Sequence, residues 1–144
     1  MRLNRTKKLY IVACASVAYV CTSTTAAYWG DELLHLGVDP SFGFDRTLAY
    51  LRLVIMPWEW LLCGIVRLAK WQFYFTDQFY VALAAISSAI LTAVTTLLVR
   101  RWERLFLPIA VALGFLTVCW TYYLIHYFVE YARVESIVRM EPSN

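Results

Sequence analysis

The chain has 144 residues, is 61% hydrophobic and only 16% charged, and has a mean hydropathy of +0.58. A soluble domain of this size could not hide that much apolar surface, because small folds have a high surface-to-volume ratio; a bilayer is the fitting solvent. The formal net charge of +3 is small, and no basic stripe interleaves with aromatics on a polar face, which argues against nucleic acid as a partner.

The opening "MRLNRTKK" holds Arg2, Arg5, Lys7 and Lys8 and no acid, and the uncharged run Leu9–Trp29 follows. That run is long enough to cross a hydrocarbon core of roughly 30 Å. A cleaved signal peptide is the competing reading, with "TTAA" (Thr24–Ala27) as the small residues and "IVAC" (Ile11–Cys14) as a lipobox-like stretch. The apolar run is long for a signal sequence, so an uncleaved first span over residues 9–29 is expected. Gly30 reads as the glycine that ends this helix. "DELLHLG" (Asp31–Gly37) then reads as one or two turns at the membrane surface, and "VDPSFGFD" (Val38–Asp45) as a turn-rich connection.

Residues 45–70 are apolar enough to span, yet they carry Asp45, Arg52, Glu59, Arg67 and Lys70, with Pro57 near the middle. On one continuous helix at 100° per residue these five charges share an arc of about 80°. Charges inside a bilayer are costly and face inward or toward a partner. A span over residues 48–68 is therefore expected, with Arg52, Glu59, Arg67 and Lys70 as the partner-contact stripe. The alternative is an interfacial helix with its stripe toward water.

After an aromatic turn, "WQFYFTDQFY" (Trp71–Tyr80), a charge-free span is expected over residues 79–99 and another over 105–128, separated by the polar hinge "RRWER" (Arg100–Arg104). Pro108 falls in the first turn of the last helix, where proline is tolerated. The tail 129–140 keeps a helical pattern, with Glu130/Arg133 and Glu135/Arg139 as surface pairs. Ala85, Ala89 and Ala93 recur every fourth residue, and Ala110 and Gly114 repeat that spacing; small residues so spaced let helices approach closely.

The expected fold is thus an all-α polytopic membrane protein with four transmembrane helices, or three plus one interfacial helix. Its N-terminus is expected in the cytoplasm of a bacterial cell, with the chain in the inner membrane. Four spans place both ends on one side; three place them on opposite sides.

Cys14, Cys21, Cys63 and Cys119 form no CxxC pair and lie in apolar runs, and His35 and His126 are poorly placed for a shared haem or metal, so no cofactor or metal is expected. Nucleophile elbow, phosphate loop and HExxH patterns are absent, which points away from an enzyme. Three functions remain. The first is an accessory or assembly subunit of a larger membrane complex such as a secretion or conjugation machine. The second is an immunity or exclusion protein against a membrane-inserting toxin. The third is a small proton-coupled exporter of lipophilic cations, using Glu59 between Trp58 and Trp60.

Overall fold

The structure, a computed structural model, describes residues 3–38, 43–69 and 77–140. All elements among them are helical: α1 (Arg5–His35), α2 (Gly43–Ile55), α3 (Pro57–Leu68), α4 (Asp77–Arg101), a 3-10 turn (Glu103–Leu105) and α5 (Phe106–Met140). Three helices are long and apolar enough to cross a membrane, or four if the bent pair α2–α3 is counted as one span.

Helix α1 is the centre of the bundle and packs along both α4 and α5. Its residues explain why. Ser16, Ser23, Thr24, Ala26 and Gly30 are small and buried, and they bring two neighbours close to one backbone. The hydroxyls do not burden the bilayer, because Ser16 donates to Val12 O at 2.8 Å and Ser23 to Val20 O at 3.2 Å along the same helix. Gly30 does not end α1, as its residue type suggested. It lies inside the helix against Tyr127, whose Cε2 would be 3.6 Å from an added Cβ. The stop is Gly37, at φ +76°, where a residue without Cβ is favoured.

The contacts fix the helix directions. At one end Lys8 pairs with Glu103 and lies over Phe106, so the start of α1, the end of α4 and the start of α5 share a level. In the middle the Ser16 and Thr95 hydroxyls are 2.8 Å apart. At the other end Tyr80 donates to Asp31, and Trp29 packs against Phe128 and Tyr131. Hence α1 and α5 run parallel and α4 runs antiparallel to both.

This arrangement decides what α2 and α3 do. Helix α1 ends, and α4 begins, at the Asp31/Tyr80 end, so the chain between them starts and finishes on one side. The expected unbroken helix over 48–68 is in fact two helices bent by 93° at Met56. Proline lacks an N–H and its ring clashes with the preceding turn, so Pro57 can open α3 but cannot continue α2. Arg46, near the start of α2, lines a cleft with Gly30 and Asp31, while Val66, near the end of α3, packs with Phe79 and Tyr80. Between them the vertex residue Met56 is completely buried. The pair forms a hairpin whose vertex lies inside the bundle and whose two arms open toward the same end. By length and apolarity the chain has three spanning helices, with the bent pair as a fourth if it is one broken span.

The expected small-residue face of α4 is not the face it packs with inside this chain. Its buried stripe is Leu83, Ser87, Leu91, Thr95 and Val99, and Ala85, Ala89 and Ala93 are exposed about 200° round the helix from it. On α5 the buried stripe is Leu113, Leu116, Trp120, Tyr123 and Tyr127; Ala110 is half-buried, and Gly114 is exposed with no atom near an added Cβ. Large side chains make the core here, while small ones on α4 look outward.

Candidate functional site

Where the hairpin turns, its two charges meet. Arg52, in the last turn of α2, and Glu59, in the first turn of α3, are 7% and 4% exposed. Their pairing is bidentate: Nε to Oε2 at 3.0 Å and Nη2 to Oε1 at 3.1 Å. The guanidinium also donates from Nη1 to Ser23 O at 2.8 Å and from Nη2 to the Thr24 hydroxyl at 3.0 Å. Four of its five N–H groups are thus satisfied. The carboxylate is held from its other side by Ser87, whose hydroxyl donates to Oε1 at 2.7 Å and accepts from Trp58 Nε1 at 3.2 Å.

Each helix supplies this cluster for a local reason. The 93° bend makes a separation of seven residues a contact distance. Along a straight helix Arg52 and Glu59 lie nearly two turns apart, and a direct pair is out of reach. Ser23 and Thr24 present acceptors because α1 keeps small residues on the face that receives the hairpin. Ser87 sits on the buried stripe of α4.

The arrangement is a closed one. A fork-to-fork arginine–carboxylate pair with its remaining polar atoms engaged is the form in which charge survives in a low-dielectric interior. Two clefts lie toward the hairpin's open end. One of about 320 Å³ lies between α1 and α4 and includes Cys21, Thr24, Tyr28, Asp77 and Tyr80 in its lining. The other, about 200 Å³, lies among α1, α2 and α5. Glu59 lines neither.

The structure thus separates the residues expected to form one partner-contact stripe. Arg52 and Glu59 face inward and are each other's partners. Arg67 is exposed near the end of α3, and Lys70 lies outside the described residues. Ser23, Thr24 and Ser87 were not among the expected site residues, and Trp58 was expected only as a neighbour of Glu59 in a cation site. Thr24 and Ser23 are legible in the sequence only as part of the polar patch "TSTT" (Thr22–Thr25), and that signal fits helix packing better than a polar site. Among the described residues no group of histidine, cysteine and acidic side chains is arranged to hold a metal ion. Cys14 and Cys21 are on the outer surface, not buried as their apolar context suggested.

An aromatic belt surrounds the hairpin's open end. Tyr28 meets Tyr80 edge-on at 5.4 Å and Trp29 meets Phe128 at 5.2 Å. Such rings, apolar in body and polar at the tip, suit the membrane–water boundary. The opposite end is basic: among the described residues Arg5, Lys7, Lys8, Arg100, Arg101 and Arg104 stand against the single acid Glu103. Comparisons with protein families, with curated proteins and with solved structures give no match to this chain.

Proposed function

We propose that the protein is a non-catalytic membrane subunit that acts through helix–helix contacts, as an accessory or assembly component of a larger membrane complex. One observation carries this reading: the outward face of the re-entrant hairpin is uncovered by its own chain. Tyr50 and Val54 on α2 are 70% and 76% exposed, and Trp60, Leu61 and Leu68 on α3 are 70%, 69% and 86% exposed. Arms of 13 and 12 residues are each too short to span, and re-entrant segments are stable where protein covers them. Arg52 and Glu59 point into the chain while these large apolar side chains point out, so the face offered to a partner is largely greasy and aromatic. A secretion or conjugation machine is the kind of assembly that uses such subunits, and the inner membrane of a bacterial cell is the corresponding location.

The charge asymmetry supports a cytoplasmic N-terminus. Among described side chains the N-terminal end carries six cations and one acid, whereas the opposite end carries Arg46, Arg67 and Arg133 with Asp31, Glu32, Asp77, Glu130 and Glu135. Basic residues beside spans are retained on the cytoplasmic side. Proton-coupled export loses its support, because Glu59 is held by Arg52 and Ser87 and lines neither cleft. An immunity protein would use the same hairpin face, but would not co-migrate with a resident complex.

The test is site-specific photocrosslinking in native membranes. A photoreactive residue at Trp60, Leu61 or Leu68 is expected to capture another membrane protein, and the same residue at Val111 or Phe115 on the outer face of α5 to give lipid adducts. Lipid adducts alone from all five positions would contradict the reading.

A further inference from the structure

The basic end of the bundle is assembled from distant parts of the chain. Arg5 donates from Nη2 to the Arg100 carbonyl at 2.7 Å, which brings two guanidinium-bearing residues together. Lys8 takes Glu103, the one acid at this end among the described residues, at 2.6 Å. Arg101 lies over its neighbour Trp102, with 6.0 Å between guanidinium and ring. Lys7, Arg100 and Arg104 are exposed and form no ion pair among the described residues.

The local field makes this crowding costlier. Arg5, Lys7 and Lys8 stand in the first turn of α1, where a helix's own dipole disfavours cations and no acid compensates. Helix α5 also begins at this level with no acid in its first turn. Only the end of α4 offers opposing partial charge. Like charges gathered at the edge of a low-dielectric layer call for an anion at the same height.

The height is known from the chain itself. The uncharged run begins at Leu9, directly after Lys8, and α5 turns apolar at Phe106, directly after the basic turn. The cations therefore stand at headgroup level. A shallow apolar cleft of about 410 Å³ runs along this end of α1, lined by Leu3, Thr6, Lys7, Tyr10 and Ile11, room for the upper part of an acyl chain. Tyr10 is 71% exposed on that surface.

We propose that this basic end is a binding site for the phosphate headgroups of anionic phospholipids in the leaflet that contains it, with Lys7, Arg100, Arg101 and Arg104 as the phosphate-binding residues. The site is independent of the hairpin face and of whatever partner covers it. Its selectivity is electrostatic, with each cation contributing roughly fivefold to the preference for an anionic over a zwitterionic headgroup.

The experiment uses the full chain in a neutral detergent, titrated in parallel with phosphatidylglycerol, phosphatidylcholine and inorganic phosphate, with bound lipid counted by native mass spectrometry. The wild-type chain retains phosphatidylglycerol preferentially. The triple variant Arg100→Gln/Arg101→Gln/Arg104→Gln loses that preference, and the corresponding triple lysine variant keeps it. Glu103→Gln, which removes the one acid and releases Lys8, raises it. Where the glutamine triple variant does not insert, Glu103→Gln decides alone: a gain supports the site, and no gain overturns it. Equal retention of the two lipids by the wild type, or displacement of phosphatidylglycerol by inorganic phosphate at matched concentration, also overturns it.

Discussion

Replacing Glu59 by alanine is expected to destabilise the folded chain by about 3–5 kcal/mol, because it strands a buried guanidinium. The carboxylate takes both Arg52 bonds and the Ser87 bond, so its loss leaves Arg52 with only Ser23 O and the Thr24 hydroxyl. Arg52→Ala is expected to cost a similar amount by leaving an unpaired carboxylate. The double variant Arg52→Met/Glu59→Leu separates the pair's net worth from the penalty of breaking it. Because desolvating two charges offsets most of their attraction, that variant is expected to regain most of the lost stability. Reversible unfolding in mixed micelles, followed by tryptophan fluorescence, measures all four chains. A Glu59→Ala chain within about 1 kcal/mol of wild type would mean that the pair is not desolvated.

The second large effect belongs to Met56. Its side chain is fully buried at the vertex and shares a core cluster with Tyr19, Leu91, Leu116 and Trp120. Met56→Ala leaves a cavity where three helices and the hairpin meet, and is expected to cost about 2–5 kcal/mol in the same assay. Trp60→Ala removes a larger side chain from the same hairpin, yet Trp60 is 70% exposed, and the expected change is within about 0.5 kcal/mol. Trp60 instead belongs to the crosslinking experiment, where a partner and not the fold is at stake. If Trp60→Ala were the more damaging of the two, the hairpin would be packed the other way round.

What the sequence revealed and what it hid follow from the range of each signal. Helix identity and extent depend on local periodicity and charge-free runs, so α4 and α5 are found within a few residues of the expected bounds, and the polar tail continues α5 as its spacing implied. The Glu130–Arg133 pair, three residues apart, is present at 3.8 Å. Pro57 was visible, but its consequence was not. A proline permits either a kinked span or a break, and the choice depends on whether Ser23, Thr24 and Ser87 wait at the vertex to receive two charges. Those residues lie 28 or 29 positions away and carry no common pattern. The wheel that gathered Arg52, Glu59 and Arg67 on one stripe assumed one axis; bending that axis by 93° turns two of them inward and leaves the third outside. The alanine series stays outside the chain's own packing for a related reason. Small residues mark close approach only when another helix is on that side, and in α4 the neighbour lies on the leucine, serine and threonine side.

The same reasoning ties the hairpin to topology. Counting basic residues leaves the two topologies unresolved, because "RRWER" sits on the unfavoured side in a four-span chain and the long 30–78 segment dilutes the contrast in a three-span one. Pairing of Lys8 with Glu103, and of Asp31 with Tyr80, favours three crossings without any charge rule, since helices in register at both ends bring the hairpin's arms back to the end they left.

Single-cysteine labelling with a membrane-impermeant maleimide tests the re-entrant hairpin most directly. In a chain whose four native cysteines are replaced by serine, reporters at Thr47 in α2, Leu68 in α3, Ser136 in α5 and Arg104 beside the basic turn are labelled from each face of oriented membranes. Thr47, Leu68 and Ser136 are expected to react from one face and Arg104 from the other. Reaction of Thr47 and Leu68 from opposite faces would make the pair a true fourth span and contradict the fold's central feature.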